Sequence, residues 1–352
     1  MKKRLLALIL TAALTLSSCG NNQKAETTTP PPETTSAPAQ TTDADSPNEA
    51  ETSETEEKEE EKVTPERVTN DELTPAVWKV TDPETNNSLN MMGTIHIIPE
   101  NEGIVPKYVM DIYNESDGVA VEYDVSKIQT DMVVQIMYLS YFVLDDGSTI
   151  QEHLSPETYE AAKARLTELG LYNETFDSYN ASYWESLITS GALMKLDGIK
   201  ESGIDAYFIE IAKEDGKEVR SIEALEAQMN ALGSMTDAYC EFSINQILEL
   251  NNDEFKEMFM ELYNAWAAGD VEKLIETDEE SLDELPEEIR ADYEKFNEKL
   301  LYERNIGMAD AAEEYIKNGD NIFYMVGFAH FGGEDSVIDM LEERGYTVER
   351  IH

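Results

Sequence analysis

The sequence is poor in cysteines, basic residues and histidines, and each shortage excludes something. Two cysteines among 352 residues, Cys19 and Cys240, leave no disulfide framework for an exported domain and exclude a four-cysteine zinc site. There are 26 Lys and Arg residues against 74 Asp and Glu residues, so the formal net charge of -48 argues against a nucleic-acid partner. The same charge favours solubility outside the cell and would draw divalent cations or cationic peptides toward the surface.

The N-terminus predicts export and attachment to a membrane by lipid. A basic start, Lys2 to Arg4, precedes the apolar run "LLALILTAALTL", which is too short for a comfortable membrane span. "LSSC" then resembles a bacterial lipobox, so we expect residues 1–18 to be a lipoprotein signal peptide and Cys19 to carry the lipid. This predicts an extracytoplasmic protein anchored to the bacterial membrane. The alternative is a plain signal peptide with an incidental cysteine.

Residues 19–70 predict a disordered tether. The segment is rich in Thr and Pro ("TTTPPPETTSAPAQTT") and then strongly acidic ("ETSETEEKEEEK"), with almost no branched apolar or aromatic residues. Such a composition cannot bury enough surface to offset the entropy of ordering. We therefore expect one folded domain, residues 71–352, held away from the anchor.

The pattern of elements in residues 71–352 predicts an α/β (α+β) domain. "PAVWKVTDPETNNSLNMMGTIH" predicts a β-hairpin, and a strand–helix–strand unit closes the chain from Ile322 to Ile351. Between them the spacing of apolar residues is mostly helical, as in "SPETYEAAKARLTELG", with Ser155 as N-cap and Gly170 as the stop. We expect a central mixed β-sheet built from the N- and C-terminal segments, flanked by helices, with a helical middle insertion.

Two of the four histidines follow an apolar strand in the pattern Gly-x-x-His. These are Gly93 with His96 and Gly327 with His330. Strand ends that lead into loops are where α/β proteins build sites. Two imidazoles and one carboxylate make a three-ligand metal site, and Glu122, which ends an apolar strand, is the candidate carboxylate. The alternative is that each histidine caps its strand by bonding a local carbonyl, with Glu122 exposed.

Other candidates are weaker. Arg304 and Asn305 begin the helix that leads to the second motif, and Arg304 at the edge of that helix would hold an oxyanion or a substrate carboxylate. An ordinary salt bridge with Glu303 or another acidic neighbour is the alternative. Glu223 and Glu226 follow a predicted strand as possible bases or supporting groups, while His153 and His352 receive no role.

Several motifs in order resemble the TraB/GumN family, which includes the Tiki metalloproteases and is related to pheromone-shutdown and ChaN-like proteins. They are "MGTIHIIP", "VEYD", "GIDAYF...A...GKEVRSIEALEAQ", "AWAAGD", "LYERNIGMA" and "VGFAHFGGEDSVIDMLEERGYTVERI", within about Pro75 to His352. The matching positions are Gly93, His96, Glu122, Arg304, Asn305, Gly327, His330 and Gly333. Phe331-Gly332-Gly333 departs from the Leu-x-Gly of many members, which bears on the shape of that loop.

The resemblance implies a metal-dependent site that is proteolytic. We therefore expect a lipid-anchored extracellular metallohydrolase that cleaves a peptide or protein, with His96, His330 and Glu122 binding a divalent metal of unknown identity and Arg304 facing the oxyanion. The alternative is a non-catalytic surface protein that sequesters a peptide or haem through the same histidines. A degenerate member with a vacant site is a third possibility, which the presence of every motif residue argues against.

Overall fold

A computed structural model of the chain describes residues 67–100, 103–200 and 202–352. The predicted signal peptide, Cys19 and the tether up to residue 66 lie outside the described residues. Arg67, the first described residue, pairs with Asp215 at 3.0 Å and with Glu214 at 3.3 Å. None of the helices in this part of the chain is both long enough and apolar enough to cross a membrane.

Within these residues eight strands form two sheets. The strands are β1 (Val77–Thr81), β2 (Ser88–Thr94), β3 (Ile98–Pro99), β4 (Gly118–Val121), β5 (Ile199–Lys200), β6 (Glu218–Ser221), β7 (Ile322–Gly327) and β8 (Thr347–Arg350). The main sheet has the order β6-β4-β7-β2-β1-β8, and β3 pairs with β5. Strands β6, β4, β7 and β2 run parallel to one another, while β1 runs antiparallel to both β2 and β8. The predicted mixed sheet, with terminal segments side by side, is confirmed.

Helices flank the sheet and make up most of the middle of the chain. They are α1 (Lys107–Glu115), α2 (Ser126–Thr130), α3 (Met132–Ser140), α4 (Ile150–His153), α5 (Pro156–Leu169), α6 (Ala181–Leu193), α7 (Ile204–Asp215), α8 (Leu225–Leu232), α9 (Asp237–Glu249), α10 (Asn252–Ala267), α11 (Val271–Glu284), α12 (Glu287–Asn297), α13 (Glu303–Asn318) and α14 (Val337–Glu343). Short 3₁₀ turns cover Glu174–Ser178 and Phe328–Phe331.

The caps of α5 are those predicted from the sequence. The side chain of Ser155 accepts from the backbone N–H of Thr158, Pro156 is the first helical residue, and Gly170 ends the helix with φ +72°. A hydroxyl at this position satisfies an amide that the first turn leaves unpaired, and glycine adopts a left-handed backbone without strain. The boundaries of this helix are therefore set by local sequence.

The helical segment that precedes β7, residues 285–318, contains an irregularity that the apolar spacing did not predict. A π-helical turn, Glu298–Tyr302, separates α12 from α13. The side chains that follow this turn include those of Arg304 and Asn305. Such turns occur frequently at functional sites.

The central strand β7 is buried along its whole length, as is β4 beside it. Parallel strands covered on both faces are nearly continuous apolar runs, which explains "IFYMVG" and "GVAV". The register places Thr94 of β2 opposite Gly327 of β7 and Val121 of β4 opposite Met325. The three strands therefore end at the same edge of the sheet, and the residues that follow them are neighbours.

Candidate functional site

Four polar side chains follow four adjacent parallel strands at the carboxyl edge of the sheet. Glu223 follows β6, Glu122 follows β4, His330 follows β7 and His96 follows β2. The crevice outside the carboxyl ends of parallel strands is where open α/β sheets bind ligands. This edge is therefore the candidate active site.

Arg304 joins the two carboxylates. Its Nη2 lies 2.6 Å from Glu122 Oε2 and 2.6 Å from Glu223 Oε1, and its Nε donates to both Glu223 oxygens at 3.1 and 3.2 Å. Nη1 donates to the carbonyl of Leu300 at 3.0 Å. The side chains of Arg304, Glu122 and Glu223 are only 9%, 11% and 11% exposed, so this is a nearly buried charge cluster.

In this arrangement Arg304 positions the two carboxylates. The sequence suggested a donor to an oxyanion or a substrate carboxylate, with a salt bridge to Glu303 or another acidic neighbour as the alternative. The structure gives salt bridges with Glu122 and Glu223. All three guanidinium nitrogens have acceptors within the protein. Nη1 carries two N–H groups and donates one of them to Leu300, so an oxyanion role would use its second hydrogen.

The ring of His330 is held in place by a hydrogen bond at Nδ1. Its Nδ1 lies 2.6 Å from Oδ1 of Asn305, and Nδ2 of Asn305 donates to the carbonyl of Asp335 at 2.9 Å. Because that donation identifies the amide nitrogen of Asn305, its oxygen must accept, and Nδ1 of His330 carries the hydrogen. The other ring nitrogen, Nε2, faces Glu122 Oε1 at 3.6 Å.

His96 is held by a carboxylate that sequence analysis missed. Its Nδ1 lies 2.9 Å from Asp205 Oδ2, in the first turn of α7. Gly203 is the N-cap of that helix and packs directly against the backbone of His96. A Cβ at Gly203 would lie 2.2 Å from the carbonyl carbon of His96. Asp205 lay within "GIDAYF", and an acidic residue two positions after a glycine that caps a helix was the available signal.

The motif glycines make room for neighbouring groups of the site. A Cβ on Gly93 would lie 2.7 Å from Cδ2 of Phe328, which precedes His330 by two residues. A Cβ on Gly327 would lie 2.9 Å from Glu122 Oε1, and the N–H of Gly327 donates to that oxygen at 2.5 Å. Each glycine thus admits a group of the site at a distance that a side chain would block.

The loop after His330 also depends on glycine. Gly333 has φ +76°, in the left-handed region that favours glycine. A Cβ on Gly332 would lie 2.7 Å from Cγ1 of Val271, so α11 packs directly against the loop. The Phe331-Gly332-Gly333 departure from the family pattern therefore coincides with close packing of this helix.

Burial and charge separate the protonation states of the four groups. Burial raises the pKa of Glu122, but Arg304 and the imidazoles outweigh it and hold the pKa well below its usual range. Burial, together with the charge of Arg304, lowers the pKa of His330 to about 3. Burial raises the pKa of Glu223 despite Arg304 beside it. At neutral pH the site therefore presents an ionised Glu122 and a neutral His330.

His96 behaves in the opposite way. Burial by itself would lower the pKa of His96, but the charge and the hydrogen bond of Asp205 outweigh burial. The pKa of His96 is therefore raised from 6.5 to about 9. The side chains of His96 and Asp205 are 22% and 15% exposed, so this pair lies on the more open side of the cluster. Without a bound cation the ring is an imidazolium at neutral pH.

The donor set partly suits a divalent metal. Neutral imidazole nitrogen and carboxylate oxygen are common ligands, and partners on the far ring nitrogens, such as Asn305 and Asp205, orient metal-bound histidines. Two ligands at roughly 2.0–2.2 Å from a tetrahedral metal lie about 3.3–3.6 Å apart, which matches the 3.6 Å between His330 Nε2 and Glu122 Oε1.

The predicted third ligand does not join them. Across residues 67–100, 103–200 and 202–352, no three His, Cys, Asp or Glu side chains come close enough together to hold a metal ion. His330 and Glu122 are neighbours, while His96 is held by Asp205 outside such a group. The structure therefore brings His330 and Glu122 together, and the predicted set with His96 as the third ligand stays a prediction.

Two further polar groups around the carboxylates differ in position. Gln228, in α8, is buried, and its Nε2 lies 3.4 Å from Glu122 Oε2. Glu226, which the sequence suggested with Glu223, is exposed. Glu226 and Gln228 both lie in α8, and positions two apart on a helix do not share a face, so one side chain is exposed while the other is buried.

His153 has a network of its own. Its Nε2 lies 2.8 Å from Ser148 Oγ and its Nδ1 2.8 Å from Asp237 Oδ2, which is the connectivity of a Ser-His-Asp triad. Asp146 Oδ1, however, accepts from both Oγ and N of Ser148, and the next amide donates to Glu152. Carboxylates thus occupy the amides that would stabilise an oxyanion, and His153 instead ties α4 to α9 through Asp237.

The geometry defines a class of protein, an α/β protein with a His–carboxylate–Arg site at the carboxyl edge of its sheet. The family model described as TraB/PrgY/gumN family matches residues 76–350, and the chain belongs to that family. It is 23% identical to metalloprotease TIKI2 of Danio rerio over 328 residues, 80% of this chain and 62% of the relative. It is 24% identical to metalloprotease TIKI1 of Homo sapiens over 304 residues, 73% of this chain and 58% of the relative.

These relatives are longer than the matched region. The chain spans about three fifths of the length of the curated relatives it matches, including 57% of metalloprotease TIKI2 of Xenopus tropicalis. No solved structure matches the chain significantly. The names of the relatives support metalloprotease chemistry for the family and leave the metal ion unspecified.

Proposed function

We propose that this chain is a metal-dependent peptidase with its active site at the carboxyl edge of the sheet. The observation that carries the proposal is the pair His330 and Glu122, with Nε2 and Oε1 3.6 Å apart and the far side of the ring fixed by Asn305. His330 and Glu122 would hold the metal, and His96 is the proposed third ligand. A divalent metal bound there would polarise a peptide carbonyl and lower the pKa of a bound water.

The surrounding residues have defined tasks in this proposal. Arg304 keeps the two carboxylates in place without leaving their charges unpaired. Glu223, whose pKa burial raises, is suited to take a proton from water and return it to the leaving amine. His96 must lose its imidazolium proton before Nε2 can act as a ligand, so metal uptake should release a proton.

A metal titration and a cleavage assay together test the proposal. We expect the full chain to bind about one equivalent of divalent metal and to cleave peptides in a reaction that a chelator stops. His330→Ala should lose metal affinity by at least about tenfold and cleavage by about a hundredfold or more. His153→Ala is the matched control, because its ring bonds Ser148 and Asp237. Full cleavage by His330→Ala would refute the mechanism.

A second candidate is a binding protein without turnover. It is favoured because both oxygens of Glu122 already accept hydrogen bonds, one from Arg304 and one from the N–H of Gly327. This candidate predicts that a peptide binds and is recovered intact by mass spectrometry with metal present. Haem is a poorer ligand for such a site, because its two carboxylates would enter a region where acidic residues are abundant.

We extend the proposal to location. "LSSC" at the end of the apolar run supports a lipid on Cys19, and the acidic tether would then hold the domain outside the cell. Detergent phase partition of the chain produced in a bacterial host tests this. The wild type should enter the detergent phase, and Cys19→Ala should not. Equal partition of both would show that Cys19 carries no lipid.

A further inference from the structure

A cavity of about 520 Å³ lies directly behind the proposed catalytic residues. It is bounded by α11, α12, the π-helical turn and the loop after His330. This volume falls within the roughly 300–1,000 Å³ typical of ligand sites and exceeds that of a single water many times over. The cavity is thus large enough for side chains of a bound molecule.

The cavity is in contact with the site. Asn305 lines it and also accepts from His330 Nδ1 at 2.6 Å. Leu300 lines it and accepts from Arg304 at 3.0 Å, and Ala329 precedes His330 in the chain. Asn305 would therefore contact both a molecule in the cavity and His330, which is a proposed metal ligand.

The wall combines an apolar interior with a rim of one charge. The interior residues are Leu274, Ile275, Leu282, Leu300 and Leu301. The acidic residues are Asp278, Glu294, Glu298, Glu334 and Asp335, and of the residues described along the wall none is basic. Asp278 is tied back by a hydrogen bond from Tyr293, whereas Glu294, Glu298 and Glu334 are exposed.

We propose that this cavity is a subsite for a peptide segment with a large apolar side chain flanked by positive charge. Apolar walls are stabilised by burying an apolar side chain, and the acidic rim attracts Lys or Arg on either side of it. Anionic or polar segments would leave the apolar interior wet and meet like charge. The inference rests on the proposed peptidase function for its role in substrate choice, while its binding property can be measured separately.

The test compares three blocked tetrapeptides in the presence of a chelator, so that no cleavage occurs. They are Lys-Phe-Leu-Lys, Lys-Ala-Ala-Lys and Glu-Phe-Leu-Glu, titrated calorimetrically into the full chain at low salt. We expect the first to bind at least about tenfold more tightly than the other two, since apolar pockets distinguish large from small side chains by about that factor or more. Equal binding of the three would overturn the proposal.

Variants of the cavity and of its acidic rim test whether the peptide binds there. Ile275→Trp should fill the cavity and weaken binding of Lys-Phe-Leu-Lys by about tenfold or more, whereas Ile306→Trp, on an exposed position of α13 outside the cavity, should not. Glu294→Lys/Glu298→Lys should weaken it as well, and the control is Glu287→Lys/Glu288→Lys in the first turn of α12. These surface changes keep the test valid if Ile275→Trp does not fold. Binding unchanged by the rim variant would refute the subsite.

Failure of the subsite and failure of the proposed function give different results. If the chain cleaves peptides with metal present but shows no preference among the three peptides, the subsite is wrong and the peptidase stands. If the preference and its loss in the rim variant are observed without any cleavage, the subsite stands and the peptidase is wrong.

Discussion

Asn305 fixes the tautomer of His330. Oδ1 of Asn305 accepts from Nδ1 of His330 at 2.6 Å, since Nδ2 of the same amide is committed to the carbonyl of Asp335. The lone pair of the histidine is therefore on Nε2, toward Glu122. The buried side-chain amide of Asn305, on α13, thus decides which ring nitrogen of His330 is available to a ligand.

Replacing Asn305 by Ala should release this constraint. We expect both tautomers of His330 in Asn305→Ala, visible in the imidazole ¹⁵N shifts, and a loss of metal affinity of about 10–100-fold. Asn114→Ala, an exposed asparagine in α1, is the control. Unchanged ¹⁵N shifts at His330 would contradict the assignment even if the metal affinity fell.

Arg304 should be necessary for stability as well as for the site. Arg304→Met leaves Glu122 and Glu223 nearly buried without their counter-charge, which should reduce the free energy of unfolding by about 3–5 kcal/mol. Arg304→Met/Glu223→Gln should recover part of the loss, because it removes one of the two unpaired charges. Urea unfolding measures both.

The control for Arg304 is a surface pair of the same type. Arg165 lies 3.7 Å from Glu168, with side chains 33% and 64% exposed. Arg165→Met should cost less than about 1 kcal/mol, because solvent screens exposed pairs. Similar losses for Arg304→Met and Arg165→Met would show that the buried cluster adds nothing.

Glu185 is a buried carboxyl whose charge the fold disfavours. Its Oε1 accepts from Ser243 at 2.8 Å and Thr189 at 3.1 Å, and Oε2 has no hydrogen-bond partner in the described part of the chain. Burial raises the pKa of Glu185 from 4.5 to about 7, against these hydrogen bonds. Because the folded protein keeps a proton that the unfolded chain loses, this group makes stability fall as the pH rises from 4.5 to about 7.

Glu185→Gln should remove that contribution, since an amide does not ionise. Relative to wild type we expect little change in the free energy of unfolding at about pH 4 and a gain on the order of 3 kcal/mol at about pH 8. Urea unfolding at the two pH values measures this difference. Glu160→Gln, on an exposed position of α5, should show no such trend. A gain that does not depend on pH would exclude the buried proton.

Alanine at the motif glycines should be costly in proportion to the space it takes. In Gly93→Ala the new Cβ would lie 2.7 Å from the side chain and 3.0 Å from Cα of Phe328, and we expect a loss of about 1–3 kcal/mol. Gly307→Ala is the control: it lies inside α13 with nothing within 4 Å of the new Cβ, and helix propensity predicts a gain of up to about 1 kcal/mol. Thermal unfolding distinguishes these opposite signs.

The residues that the sequence singled out were those with strong local signals. Histidines are scarce, so the two in Gly-x-x-His attract notice, and Glu122 is a carboxylate after the apolar run "GVAV". Asp205 gave only a weak signal, since an acidic first turn is common in helices. The π-helical turn before Arg304 had none, because apolar spacing near it is still helical.

The partnerships within the site depend on contacts between distant parts of the chain. Arg304 and Glu122 are 182 residues apart, and Asp205 and His96 are 109 apart. Composition predicted that Arg304 would have an acidic neighbour, and only the packing of α13 against the sheet shows that it has two. The 520 Å³ cavity is likewise lined by the helices from Leu274 to Asn305 and by the loop around His330, which only tertiary packing brings together.

The sequence by itself determined the strands of the main sheet, several helix ends and the identity of the polar residues that follow the strands, because caps, glycines and apolar periodicity act over a few residues. The tertiary structure alone decided that β4, β7 and β2 end at one edge, that Arg304 bridges two carboxylates and that His96 is held by Asp205. Strand order and register set those distances, and they arise from burial of the whole sheet, which no short stretch of sequence encodes.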